Sequence, residues 1–205
     1  MVCNATIADV PGDGMASDGT HTNVEFEIRG FNHVALVCRD MAETVQWYEE
    51  KLGFKLVKTL ELPGGRGQHF FLDMGNGRDG IAFFWFPDAP EGEPGVVLQD
   101  RFGVTAIGST NHIAFDVPPE RFDEYREGLK ARGVKVTPII NHANSLDGGH
   151  QPVYDAATDD GDVFIRSMYF TDPNGIRLEF ACWTKVLDEG DVRHAPARAA
   201  TRVGA

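Results

Sequence analysis

TNHIAFD, at residues 110–116, closely matches a stretch that occurs earlier in the chain, FNHVALV at residues 31–37. In both places an Asn-His pair opens a short run of apolar residues, a pattern that predicts a β-strand with one buried face. A polar pair that recurs at the head of two such strands indicates an internal repeat. A repeat constrains the fold more strongly than any single motif does.

The elements that follow each of these strands also repeat. Apolar residues at helical spacing come next and stop at a glycine, Gly53 in the first copy and Gly133 in the second, and Asp40 is the expected N-cap of the first helix. Three strand-like runs complete each copy: FKLVKTLEL, HFFLDM and GIAFFWF, then VKVTPII, VFIRSMYF and GIRLEFACW. The sequence therefore predicts an α+β fold of two tandem βαβββ modules, at residues 25–108 and 109–187, with flexible tails at 1–24 and 188–205.

Alternation along the strands places three polar side chains on faces that point away from an apolar backing. These are His33, His112 and Glu179. The residues behind them, which would pack on the helices, are Val34 and Leu36, Ile113 and Phe115, and Leu178 and Phe180. A lone histidine in such a place is more often a satisfied polar residue than a ligand. Two in equivalent places, together with a carboxylate, favour a metal site.

Composition limits the classes of partner. The formal net charge is -12, from 31 acidic against 19 basic residues, which argues against nucleic acid and against an anionic membrane surface. No stretch approaches the length of an apolar membrane span, and the N-terminus lacks the pattern of a secretory leader. We therefore expect a cytoplasmic protein. Cys38 and Cys182 lie within apolar strand patterns and are expected to be buried and structural.

With Asn-His opening each module and DPNGIRLEF closing the second, the chain resembles the vicinal-oxygen-chelate superfamily over residues 28–185. This superfamily includes glyoxalase I, extradiol ring-cleavage dioxygenases, methylmalonyl-CoA epimerase and fosfomycin-resistance thiol transferases. The resemblance implies that the modules form a cupped mixed sheet with helices on the outside. It also implies that His33, His112 and Glu179 bind a divalent metal inside the cup.

The resemblance departs from glyoxalase I at one ligand position. Glyoxalase I typically has four protein ligands, and the residue that aligns with Glu179 in the first module is Phe84, which cannot ligate. Two imidazoles and one carboxylate with open coordination positions are the ligand set that suits non-haem Fe(II). Iron is therefore the favoured cofactor, whereas Mn, Ni, Zn and Co stay open because the same three ligands serve manganese in fosfomycin-type transferases.

Residues 168–179, MYFTDPNGIRLE, look like the closing signature of extradiol dioxygenases. Tyr169 is the first catalytic candidate, as a hydrogen-bond donor to a substrate oxygen, and the other interpretation is a tyrosine that only packs at the sheet edge. The signature also expects a histidine shortly before this tyrosine, and residues 159–167, DDGDVFIRS, contain none. The candidates for an acid or base are therefore His69, His142 and His150. The last two lie in a long polar segment, 141–162, that is predicted to be a lid.

The same patterns indicate the substrate. Phe71 and Phe84 are expected to face the cup and to suit a planar aromatic molecule, and Arg166 and Arg177 form no dense basic cluster. We expect an Fe(II) extradiol-type dioxygenase that acts on a catechol-like or related aromatic substrate, as a homodimer. Two alternatives stay open. One is a glyoxalase-, epimerase- or thiol-transferase-type enzyme with another divalent metal, and the other is a metal-free small-molecule-binding resistance protein.

Overall fold

The structure is a computed structural model that describes residues 25, 30–90, 108–144, 150–154, 163–187, 189–192 and 194–196. The predicted tails at 1–24 and 188–205 lie largely outside these residues. None of the helices among the described residues combines the length and the apolar composition of a membrane span. The principal elements, in chain order, are β1 His33–Val37, α1 Met41–Trp47, β2 Lys55–Glu61, β3 Gln68–Asp73, β4 Gly80–Trp85, β5 Ile113–Asp116, α2 Phe122–Ala131, β6 Ile140–Asn144, β7 His150–Tyr154, β8 Val163–Thr171 and β9 Arg177–Trp183.

The strands form two separate mixed sheets, one for each predicted module. The first sheet has the order β1-β4-β3-β2 and the second has the order β5-β9-β8-β6-β7. In each sheet the Asn-His strand runs parallel to the closing strand of the same module, and the other pairings are antiparallel. The prediction of an α+β fold built from two modules is therefore confirmed, and the second module adds one strand, β7, to the predicted βαβββ unit.

The first helix begins and ends where its sequence signals predict. Asp40 is the N-cap, and its carboxylate accepts a hydrogen bond from the Glu43 amide at 2.9 Å. The helix continues through one π-helical turn, Tyr48–Leu52, and ends at Gly53, whose φ of 74° is readily adopted by glycine. The turn places the Tyr48 side chain fully inside the core.

The two modules share one hydrophobic core, which lies behind the histidine-bearing faces. Tyr48 and Phe83 of the first module and Phe122 of the second are among its fully buried side chains. Contacts between modules include Trp47 stacked on Phe170, with ring centroids 6.5 Å apart. Each fully buried apolar side chain contributes about 1.5–3 kcal/mol. The core therefore packs on the sheet faces opposite to those that carry His33, His112 and Glu179.

A buried polar network also joins the modules, at the turn between β8 and β9. Asp172 is only 5% exposed, and its carboxylate accepts hydrogen bonds from the amides of Asn174 and Ile176 and from the Tyr48 hydroxyl. Asn174 also donates to the Thr44 hydroxyl at 3.1 Å. The DPNG turn thus connects helix α1 to the hairpin that carries Tyr169 and Glu179.

The prediction for the second strand of the second module is wrong in its position. The segment VKVTPII, residues 134–140, was expected to be a strand, but β6 starts only at Ile140. Pro138 lacks an amide and cannot donate to a ladder. Thr137 still pairs with β8, through one backbone bond and one side-chain bond. Its amide donates to the Tyr169 carbonyl, and its hydroxyl accepts from the Tyr169 amide, both at 3.0 Å.

The prediction of a continuous lid at residues 141–162 is wrong for the described part of that segment. Residues 141–144 and 150–154 belong to strands β6 and β7, which pair as a hairpin and extend the second sheet. β7 is the outermost strand and contains Pro152, in keeping with the restriction of proline to sheet edges. The connections at 145–149 and 155–162 lie outside the described residues.

Candidate functional site

The second sheet brings His112 and Glu179 together. β5 runs parallel to β9 with Ala114 opposite Glu179, so His112, just before β5, lies on the same face of the sheet. His112 Nε2 is 2.8 Å from Glu179 Oε2. The Glu179 side chain is 4% exposed, whereas that of His112 is 35% exposed. A nearly buried carboxylate thus contacts an imidazole that solvent can reach.

The two ring nitrogens of His112 both face oxygen acceptors. Nδ1 is 2.7 Å from Asn111 Oδ1, and Nε2 is 2.8 Å from the Glu179 carboxylate. A neutral imidazole has one N–H and can donate to only one of these oxygens. A divalent cation between Nε2 and the carboxylate would satisfy both groups, with Nδ1–H still donated to Asn111. The donors at this position therefore fit a metal ion.

Tyr169 lies beside this pair, on the neighbouring strand. It is opposite Glu179 in the β8–β9 register, and its ring meets the His112 ring edge-on at 5.6 Å. Burial, followed by the charge of Glu179, raises the pKa of Tyr169 to about 12. The phenol therefore keeps its proton at neutral pH and can act as a hydrogen-bond donor.

The first sheet carries a continuous row of rings that starts at His33. We call this row, His33, Phe71, His69, Phe84 and Phe86, the aromatic row. Successive ring centroids along it are 5.4, 4.3, 3.7 and 5.7 Å apart. The expectation that Phe71 and Phe84 share a face with His33 agrees with the strand register, in which His33 aligns with Gly80, Ala82 with Phe71, and Phe84 with His69.

His69 is the polar member in the middle of the aromatic row. Its ring stacks on Phe84 at an interplanar angle of 12°. Its Nε2 atom is buried and has no hydrogen-bond partner among the residues that the structure describes. Burial, and then the neighbouring His33, lower the pKa of His69, so that the ring is neutral at physiological pH. A neutral imidazole in an aromatic surface can offer one hydrogen bond to a bound molecule.

One chain does not bring the three predicted metal ligands together. Among the described residues, no three His, Cys, Asp or Glu side chains are grouped closely enough to hold a metal ion. His112 and Glu179 meet on the second sheet, and His33 lies on the first. The physical reason is that β1 and β5 are edge strands of different sheets, and both border one open groove between the modules. The expected single coordination sphere is therefore not formed within the described part of one chain.

The remaining histidines and arginines considered in the sequence lie farther from His112 and Glu179 than Tyr169 does. The backbone places His150 on β7, at the opposite edge of the sheet from β5, and His142 is buried on β6 with its ring 6.4 Å from Phe164. Arg166 turns toward α2, where its guanidinium lies 4.8 Å from the Phe122 ring centroid. Arg177 lies 5.9 Å from the Tyr169 ring centroid and is the nearer of the two arginines to the site.

Two residues of the site were visible in the sequence without their role being predicted. These are Asn32 and Asn111, the first members of the two Asn-His pairs. In both copies the asparagine Oδ1 lies 2.7 Å from Nδ1 of the histidine that follows. The repeated Asn-His pair in the sequence was the signal that could have revealed this role, since the same Asn–His hydrogen bond forms in both modules.

Comparison with known proteins agrees with the fold. The family model of the Glyoxalase/Bleomycin resistance protein/Dioxygenase superfamily matches residues 30–180. MhqE of Bacillus subtilis (strain 168), provisionally named a ring-cleaving dioxygenase, is 28% identical over 108 residues, which are 52% of this chain and 33% of MhqE. The fosfomycin resistance protein FosX of Listeria innocua is 30% identical over 116 residues, 54% of this chain and 71% of FosX. The chain thus spans only a third of the length of MhqE.

Solved structures show the same fold at low identity. A glyoxalase family protein from Enterococcus faecalis superposes with a TM-score of 0.52 at 21% identity, over 75% of this chain and 97% of that one. A glyoxylase/bleomycin resistance protein/dioxygenase domain from Frankia superposes with a TM-score of 0.51 at 18% identity, over 76% and 98% of the two chains. With its two βαβββ modules and the match over residues 30–180, the chain belongs to the Glyoxalase/Bleomycin resistance protein/Dioxygenase superfamily.

Proposed function

We propose that this protein is a metal-dependent enzyme whose metal site is shared between two copies of the chain. His112 and Glu179 of one copy and His33 of the other supply the three ligands. The observation that carries the proposal is the 2.8 Å contact between His112 Nε2 and the Glu179 carboxylate, in which both ring nitrogens face oxygen atoms. Two imidazoles and one carboxylate are suitable ligands for a catalytic divalent metal with open positions.

Exposure of the ligand-bearing strands supports a homodimer. His33, Ala35 and Val37 lie on an exposed face of β1, and Val37 is 53% exposed. β1 and β5 are both terminal strands in their sheets, so a second copy can approach either edge. A twofold arrangement that places the His33 face of one copy against the His112 face of the other would bury these apolar side chains and complete two identical sites.

The aromatic row supports an aromatic substrate. Phe71, Phe84 and Phe86 offer ring faces and edges beside His33, and a planar substrate can pack against them. The similarity to MhqE points to the same class of reaction. We therefore propose ring cleavage of a catechol-like molecule, with Fe(II) as the metal.

Each side chain of the site has a distinct role in this proposal. Fe(II) held by His112, Glu179 and the His33 of the other copy would supply the redox chemistry with dioxygen. Tyr169 donates a hydrogen bond toward the substrate oxygen that gains negative charge. His69, held neutral in the aromatic row, accepts or donates one hydrogen bond at the far side of the ring and is our candidate acid or base.

Replacement of Tyr169 with Phe is expected to lower kcat by about 10- to 1000-fold, because one charge-stabilising donor is often worth roughly 2–4 kcal/mol in the transition state. Metal content and melting temperature should change little. Steady-state oxygen consumption on a catechol, together with metal analysis, checks this. Tyr154, which is 53% exposed on β7, gives the matched control, since Tyr154→Phe should leave kcat unaltered. Equal kcat values for the Tyr169→Phe variant and the parent would exclude Tyr169 as a charge-stabilising hydrogen-bond donor.

The similarity to FosX favours a second candidate, an enzyme that opens an epoxide or transfers a nucleophile with a non-redox metal such as Mn(II). Such a substrate is small and anionic and needs basic side chains close to the metal. Arg166 contacts Asp123 and Phe122 on α2. Of the two arginines, only Arg177 therefore lies near the site, beside the Tyr169 ring. The aromatic row also suits a planar apolar substrate better, so we rank this candidate second.

One experiment separates the two candidates. Protein purified without oxygen is loaded with Fe(II) or Mn(II), and each form is assayed with a panel of substituted catechols in an oxygen electrode and with fosfomycin in a product assay. We expect oxygen uptake by the Fe(II) form in proportion to ring-cleaved product. Consumption of fosfomycin without oxygen uptake would establish the second candidate, and failure of the protein to retain any divalent metal would refute both.

A further inference from the structure

Both candidate histidine ligands are hydrogen-bonded in the same way to the residue that precedes them. Asn32 Oδ1 lies 2.7 Å from His33 Nδ1, and Asn111 Oδ1 lies 2.7 Å from His112 Nδ1. The two pairs stand at the head of β1 and of β5, in different sheets with different neighbours. The equal distance in two separate surroundings indicates that the pair itself, and not its surroundings, sets the geometry.

The chemistry of the carboxamide fixes which ring nitrogen carries the proton. The oxygen of an asparagine side chain only accepts hydrogen bonds, so the nitrogen that faces it must be the donor. In neutral His33 the ring proton therefore lies on Nδ1, and Nε2 is left with its lone pair. In His112, whose Nε2 also faces the Glu179 carboxylate, the same form requires a cation at Nε2. The nitrogen that can bind a metal is thus determined by the hydrogen bond at the other nitrogen.

We propose that Asn32 and Asn111 are positioning residues that hold His33 and His112 in the Nδ1–H form and aim both Nε2 atoms at the metal. The inference rests on the proposed metal site. It explains why the Asn-His pair occurs twice: each module orients one imidazole with its own asparagine. At His33 the ring nitrogen that must ligate is already free of its proton, so the metal has no tautomer to displace there before it binds.

The first arm of the test uses metal-free protein. Protein labelled with ¹⁵N in its histidines is examined by long-range ¹H–¹⁵N correlation at about pH 8.5, well above the ordinary histidine pKa of about 6.5. His33 is expected to carry its proton on Nδ1 in the parent, and to shift toward the Nε2–H form in an Asn32→Leu variant. His33 is the better reporter here, because Nε2 of His112 faces the Glu179 carboxylate.

The second arm measures Zn(II) binding by competition with a chromophoric chelator. Asn32→Leu and Asn111→Leu are each expected to weaken Zn(II) binding by about 10- to 100-fold, the usual effect of removing a group that orients a histidine ligand. Asn32→Asp and Asn111→Asp keep an oxygen acceptor and should restore most of the affinity. If the asparagines had only a structural role, the Leu and Asp variants would bind Zn(II) less tightly because they are less stable. Thermal melting of each variant measures that loss of stability separately.

The outcomes separate this inference from the proposed function. An Nε2–H form of His33 in the parent, or an Asn32→Leu variant with an unaltered tautomer, overturns the inference. Leu variants that bind Zn(II) as tightly as the parent also overturn it. If the parent shows the expected tautomer but binds no metal, the orienting hydrogen bond stands and the proposed metal-dependent function fails.

Discussion

Replacing Glu179 with alanine should abolish metal retention and lower activity by about three powers of ten or more, because a catalytic metal commonly contributes several kcal/mol of transition-state stabilisation. Glu179 is the only anionic ligand of the proposed site, and its carboxylate contacts His112 Nε2 at 2.8 Å. The substitution removes the charge that offsets the cation and leaves two neutral imidazoles from separate chains. Metal content after dialysis and catechol-dependent oxygen uptake are the measurements.

Glu124 provides the matched control for this substitution. It lies on α2, where it pairs with Arg121 at 2.6 Å on the exposed surface. Exposed pairs of this kind contribute little to stability, so Glu124→Ala should retain the metal and the activity. A Glu179→Ala protein that keeps a full complement of metal, measured beside this control, would rule out Glu179 as a ligand.

Replacing Asp172 with alanine is expected to lower the free energy of unfolding by about 3 kcal/mol or more, because buried donors that lose their acceptor cost roughly 1–3 kcal/mol each. The Asn174 and Ile176 amides and the Tyr48 hydroxyl would all lose that partner. These groups join the first helix to the β8–β9 hairpin, so the loss should loosen the contact between modules. Urea unfolding followed by tryptophan fluorescence measures the change.

The Asp172→Asn substitution should lower the free energy of unfolding by less than Asp172→Ala does. Its side-chain oxygen can still accept hydrogen bonds from the backbone amides of Asn174 and Ile176. Burial raises the pKa of Asp172 above its ordinary value of 3.8, despite the hydrogen bonds that lower it. The folded protein therefore binds this proton more tightly than the unfolded chain. The stability due to this group is full below pH 3.8 and declines as the pH rises through the raised pKa. The Asp172→Asn variant should lack that decline, and an unchanged pH dependence would contradict the interpretation.

Local patterns in the sequence predict most of the fold. The N-cap at Asp40, the helix end at Gly53 and the alternation in both Asn-His strands are properties of neighbouring residues, and the structure reproduces them. The repeat then supplies the topology, since the two units form sheets of the same strand order, to which the second unit adds β7. The aromatic character of the first sheet followed from the same alternation.

The missed features depend on contacts between distant segments. β6 starts late because the Thr137 side chain replaces a backbone partner of Tyr169, which no periodicity in residues 134–140 reveals. β7 resembled a polar loop, because a strand that is paired along one edge only tolerates proline and polar residues. The relative placement of the two sheets follows from packing of α1 on the β8–β9 hairpin. The sequence could therefore propose three candidate ligands without telling whether one chain or two would bring them together.

The central claim, a metal site shared between two copies, is tested most directly by mixing inactive variants. His33→Ala and Glu179→Ala proteins are co-expressed with different tags, and the doubly tagged dimer is purified and assayed. This mixed dimer holds one intact site and one damaged site, so it should show about half of the parent activity. A mixed dimer of His112→Ala and Glu179→Ala chains has both sites damaged and should stay inactive. No recovery of activity in the mixed dimer of His33→Ala and Glu179→Ala chains would contradict the shared site.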